Sequence, residues 1–195
     1  MSQFNTLQLL TDLKADLLVI TKQARLLYQH IDDLNTVPQR GKWTVAQVLQ
    51  HLNFYHDYYL PAIEKAYQSY QQVYNDDNSA FETGLIGGYL TRMMQPDTNG
   101  RVTNKTKALK SYIPGVKLNA QMVLDNFITS QERFTDLIDK AQYYDLNTVK
   151  VTMSISRLIR LKLGDILRVL VVHQQRHFIQ IEEALQLISI PSLTR

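Results

Sequence analysis

His173 and His177 stand four residues apart in the run His173-Gln174-Gln175-Arg176-His177. On an α-helix this spacing puts both imidazoles on one face, one turn apart, where they can hold one ion between them. The chain has 195 residues, five histidines and no cysteine. Without a thiol there is no disulfide, iron–sulfur cluster, thiolate zinc site or cysteine nucleophile, so a transition metal has to rest on imidazole and carboxylate. Two adjacent imidazoles in a buried seam need polar partners, since leaving each unpaired costs on the order of 1–3 kcal/mol. A metal is one such partner; water and Gln180 are others.

A third ligand has to come from another helix, and His51 is the best candidate because it lies on an apolar stripe. His51 follows Thr44 by seven residues and His173 follows Gly164 by nine, so at 1.5 Å per residue both lie roughly 10–14 Å from the starts of their helices. If those two helices run parallel, the three imidazoles meet. His56, five residues after His51, points about 140° away at 3.6 residues per turn and is expected on the surface or rim. His30 falls beside the stripe of its helix, and a solvated or locally bonded histidine accounts for it.

Three neutral imidazoles would leave a bound ion with open positions, the arrangement of catalytic rather than structural zinc. Such an ion lowers the pKa of a bound water or thiol and supplies a nucleophile near neutral pH. Gln174, Gln175 and Arg176 fill the gap between the paired histidines, so the glutamate base of the zincin proteases is missing, which argues against peptidase activity. No Gly-x-Ser-x-Gly elbow occurs, and Gly84, Gly87 and Gly88 lack the spacing of a phosphate loop. Tyr55 and Gln47 lie four residues either side of His51, and Gln180 lies three beyond His177. All three are candidates to orient the ligands, and Tyr55 is the candidate to contact a substrate or donate a proton. The surrounding run of tyrosines, from Phe54 to Tyr74, is read first as packing.

The elements that must position these groups follow from apolar spacing. Leu7, Leu10, Leu13, Leu17, Ile20, Ala24, Leu27, Ile31 and Leu34 recur every three or four residues, predicting a helix over 4–34 that Val37-Pro38 closes. Thr44 with Gln47 forms a capping box for a second helix reaching about Tyr74, with Pro61 kinking it. A short helix over 79–95 and a long loop to residue 118 read as a crossover. Asn119 caps a third long helix to Tyr144, residues 145–163 connect, and a fourth helix covers 164–189. The expected fold class is all-α, a four-helix bundle with long crossover connections, in one domain over 1–195.

The composition agrees: 45 % hydrophobic residues with only 7 Gly and 5 Pro fit a helix-rich globular chain. Lys and Arg number 21 against 18 Asp and Glu, a net charge of +3, too mild a surplus to argue for nucleic acid. Arg101, Lys105, Lys107, Lys110 and Lys117 fall in a stretch without an acidic residue. They read as a solvated basic loop, with the holding of an anionic substrate as the functional alternative. Asp12, Lys14 and Asp16 interrupt the first leucines and exclude a secretory signal, and no stretch is long enough to span a bilayer. The expectation is a soluble cytoplasmic protein with neither a nucleic-acid nor a membrane partner.

Two segments carry a family resemblance. Trp43-Thr44-Val45-Ala46-Gln47-Val48-Leu49-Gln50-His51-Leu52 resembles the second-helix motif of the DinB/YfiT-like superfamily. Leu163-Gly164-Asp165-Ile166-Leu167, followed by His173 to Ile181, is similar to that family's last helix. Both occur in the expected order, and the resemblance spans most of the chain. It implies a four-helix bundle holding divalent zinc or nickel on His51, His173 and His177, commonly as a homodimer. It also implies a small-molecule substrate, in some relatives a low-molecular-weight thiol such as bacillithiol, mycothiol or glutathione, handled by S-transferases or isomerases. The expected function is therefore a metal-dependent enzyme of thiol S-transferase or hydrolase type. The rival is a non-catalytic dimeric helical module for ligand binding or interaction.

Overall fold

The computed structural model describes residues 2–97, 100, 102 and 108–193. It is mostly helical, with five α-helices: α1 (Thr6–Leu26), α2 (Val45–Ser69), α3 (Leu85–Met94), α4 (Ala120–Ala141) and α5 (Leu163–Leu187). Two small antiparallel sheets accompany them. Strands β1 (Gln3–Asn5) and β2 (Ala80–Glu82) pair through Phe4 and Phe81, and β3 (Lys150–Met153) and β4 (Ser156–Lys162) form a hairpin with a bulge at Thr152/Met153.

The helix starts are set by side chains that satisfy otherwise orphaned amides. Asn5 accepts from the Gln8 amide at 2.8 Å and Asn119 from the Met122 amide at 3.0 Å. At α2 the Thr44 hydroxyl accepts from the Gln47 amide and Gln47 Oε1 accepts from the Thr44 amide, a reciprocal capping box. Pro61 lies inside α2 without ending it. The helix stops at Ser69, where Tyr70 turns extended, short of the expected Tyr74. The first helix also ends early: the apolar rhythm runs on through buried Leu27 and Leu34, but Leu27–Asp33 is wound as a 3-10 helix, with His30 out of helical geometry. Period alone does not separate the two windings over so few residues.

Named contacts fix the directions of the long helices. Lys14 to Asp139 and Arg25 to Glu132 make α1 and α4 antiparallel. Asn53 donates to the Val123 carbonyl and Tyr67 to the Leu137 carbonyl, so α2 and α4 run parallel. Two parallel neighbours cannot be joined by a hairpin, and the chain from residue 70 to 119 crosses over, as its length predicted. The connection contains β2, α3 and a 3-10 turn, Lys110–Tyr112. Between α2 and α5 the order reverses: Tyr55 meets His173, while His51 meets His177. These helices are antiparallel, not parallel as the matched levels required.

The expected plain connection over 145–163 is instead the β3–β4 hairpin. Val151 and Met153 point inward while their neighbours are half-buried, an alternation too short to separate from a helical pattern. Close approach explains two glycines. A Cβ on Gly87 would lie 2.2 Å from Asp165 Cγ, and one on Gly164 would lie 2.6 Å from the Phe81 ring. Asp165 itself accepts from the Gly84 amide at 2.9 Å at the start of α3. Among the described residues no helix is long and apolar enough to cross a membrane.

His56 corrects the expectation of a surface position: it is 2 % exposed. Helix α2 packs against α5 on one side and α4 on another, so residues 140° apart are both inside. His51 faces α5, and His56 lies 5.5 Å from the Phe127 ring of α4.

Burial holds the His56 imidazole neutral, with a pKa lowered to about 3. Because the folded value lies below the unfolded one, its contribution is complete above the unfolded pKa and is lost as pH falls towards the folded one. From pH 7.5 to 5 the loss is about 2 kcal/mol. Urea unfolding at the two pH values should show that His56→Phe removes about this much of the pH dependence; equal slopes for both proteins would contradict it. Gly87→Ala should cost about 1–3 kcal/mol by the same method, through the forced displacement of Asp165.

Candidate metal centre

His51 on α2 and His173 and His177 on α5 come together in the core. Their nearest ring nitrogens all lie within 4.8 Å of one another, and among the described residues no other group of three or more potential ligands is so placed. Ring centroids are 4.5 Å apart for His173 and His177, 4.7 Å for His51 and His177, and 5.3 Å for His51 and His173. His51 and His173 are buried and His177 is half-buried.

The hydrogen bonds decide where the protons are. His51 Nδ1 lies 2.7 Å from the Tyr112 carbonyl oxygen, and His177 Nδ1 lies 2.9 Å from Gln180 Oε1. Both oxygens only accept, so both Nδ1 atoms carry hydrogen and both Nε2 atoms present lone pairs. His177 Nε2 is 3.0 Å from His173 Nε2; in the metal-free protein this contact is a hydrogen bond that His173 donates from Nε2, since His177 carries its hydrogen on Nδ1.

Electrostatics keep the imidazoles neutral. Burial lowers the His51 pKa, partly opposed by the Tyr112 carbonyl. For His173 burial again dominates, followed by the nearness of His177 and His51, and the value falls well below the usual range. His177 is lowered to about 3 by burial and by His51. Neutral imidazole is the form that binds metal. Zinc–nitrogen bonds of about 2.0–2.1 Å in tetrahedral geometry place ligand nitrogens about 3.3 Å apart, close to the spacing of the α5 pair. The donor set suits a borderline divalent ion such as zinc or nickel.

Aromatic rings wall the centre. Trp43 lies 5.2 Å from the His51 ring, and Tyr55 lies 4.3 Å from that of His173. Tyr112 lies 4.5 Å from Tyr55 and reaches the site from the connection after α3. Burial, with nearby Tyr112 and Tyr59, raises the Tyr55 pKa to about 12, so its hydroxyl stays protonated.

The residues expected around the ligands divide. Gln180 orients His177, whereas Gln47 is engaged elsewhere, its amide donating to the Gly115 carbonyl and accepting from Thr44. The sequence carries no sign of Tyr112, since what it contributes to His51 is a backbone oxygen. Lys110 opens the turn that carries Tyr112, and it and Lys117 are exposed. Arg101, Lys105 and Lys107 lie outside the described residues.

Among known proteins, the sequence model of the DinB superfamily matches residues 24–181, a span that encloses all three histidines. No curated protein and no solved structure matches the chain.

The assigned tautomers are measurable. In the metal-free protein, imidazole 15N chemical shifts should show His51 and His177 protonated at Nδ1 and His173 at Nε2; one equivalent of zinc should move the His173 proton to Nδ1. An unchanged His173 tautomer at saturating zinc would contradict the assignment.

Proposed function

The chain belongs to the DinB superfamily, and from that premise we propose that it is a divalent-metal protein, with zinc or nickel on His51, His173 and His177, acting as a metal-dependent enzyme on a small molecule. The observation that carries this reading is the convergence of three neutral imidazoles, each with a ring nitrogen within 4.8 Å of the other two. The four long helices are read as the family's four-helix bundle, and a cytoplasmic homodimer completes the proposal.

The bound ion would act as a Lewis acid with open positions, favouring the anionic form of a water or thiol near neutral pH. The protein does the rest. The Tyr112 carbonyl and Gln180 hold two imidazoles in the ligating tautomer, so little reorganisation accompanies binding. Trp43, Tyr55 and Tyr112 shield the ligand nitrogens from bulk water, which strengthens polar interactions inside the site. Tyr55, its ring 4.3 Å from that of His173 and its hydroxyl protonated to high pH, would donate a hydrogen bond or a proton to a leaving group.

With no cysteine in the chain, a thiol nucleophile has to arrive with the substrate. The proposed reaction is S-transfer from a low-molecular-weight thiol to an electrophile, with hydrolysis as the variant in which water takes the thiol's place. Lys110, exposed and two residues before Tyr112 in the chain, would attract an anionic substrate.

Protein purified without chelators should contain about one divalent ion per chain, His173→Ala should contain none, and His56→Ala should keep it. Elemental analysis with no metal in the wild type, before or after titration, would overturn the metal assignment. Metal-loaded protein that turns over no electrophile with any cellular thiol or water in a histidine-dependent way would overturn the enzyme reading in favour of a non-catalytic binding module.

A further inference from the structure

A second polar cluster lies in the core, and the metal reading uses none of it. His56 on α2, Gln131 on α4 and Gln174 on α5 are 2 %, 0 % and 1 % exposed. Gln131 Nε2 donates to Gln174 Oε1, joining α4 to α5. Among the described residues the other end of each amide, Gln131 Oε1 and Gln174 Nε2, has no partner, and neither has His56 Nδ1.

The neighbours of the three side chains draw them to one stretch of α4. The His56 ring lies 5.5 Å from Phe127 and 6.2 Å from Phe134. Those two residues flank Gln131 by about one turn on the same face of α4, so the imidazole covers the part of α4 from which Gln131 projects. Gln174 reaches the same place through its bond to Gln131.

Their chemistry is complementary but not matched in pairs. Gln131 Oε1 only accepts, Gln174 Nε2 only donates, and a neutral imidazole nitrogen takes either role. A cation would be repelled by the amide N–H and an anion by the amide oxygen. Water offers two donors and two acceptor sites and makes about three bonds to such groups when buried.

We infer that α2, α4 and α5 build a site for one ordered water, which donates to Gln131 Oε1, accepts from Gln174 Nε2 and completes its bonding on His56 Nδ1. The water ties the three helices in register from a position separate from the three imidazoles, and it does so with or without a metal. Gln174 follows His173 directly in the chain, so the tie holds α5 at the level of the candidate ligands.

A crystal structure of the full chain at a resolution that orders internal water tests the site. The expected result is a single peak within about 2.7–3.2 Å of all three atoms; an empty position, or direct bonds from His56 Nδ1 to either glutamine, would overturn the inference. In solution, water-17O relaxation dispersion should count one long-lived internal water fewer in His56→Phe than in the wild type. If His56→Phe does not fold, Gln174→Met should show the same loss, and an unchanged count in a folded variant would overturn the site.

Discussion

The backbone carbonyl of Tyr112 and the amide oxygen of Gln180 each take the Nδ1 proton of one imidazole, and the character of the centre follows from the Nε2 lone pairs this leaves facing inward. A lone pair buried without a partner is costly. Here two such lone pairs meet a third imidazole: the proton between His173 and His177 answers one of them, and a shared cation would answer both. Burial keeps all three rings neutral, which is the form that binds a metal.

Around this constraint the helices divide their labour. Helix α5 supplies two ligands at a fixed spacing, α2 supplies the third, and the crossover after α3 returns to place Tyr112 against His51. Helix α4 supplies no ligand, yet it fixes α2 from the other side through Asn53, Tyr67 and the Phe127–His56 contact. The three imidazoles are therefore held by elements far apart in sequence, joined by a connection that brings the Tyr112 backbone oxygen to His51.

Much of this was legible in the residues. Capping at Thr44 and Asn119 follows from local chemistry, and the convergence of His51, His173 and His177 follows from helical faces. The reasoning behind that convergence was partly mistaken, because equal distance from the helix starts implies a parallel pair while α2 and α5 are antiparallel. The stagger of two 25-residue helices brings the same residues together from opposite directions, and no single-helix pattern reports a stagger. His56 misled for a related reason: an apolar stripe marks one buried face, and α2 has two. The β3–β4 hairpin and the 3-10 turn at Leu27–Asp33 are too short for periodicity to resolve.

The most direct test of the account is the zinc X-ray absorption spectrum of the chain loaded with one equivalent of metal. Three imidazole nitrogens at about 2.0–2.1 Å, with the outer-sphere scattering of their rings and no sulfur, are predicted. A first sphere made mostly of oxygen, or one with fewer than three imidazoles, would contradict it.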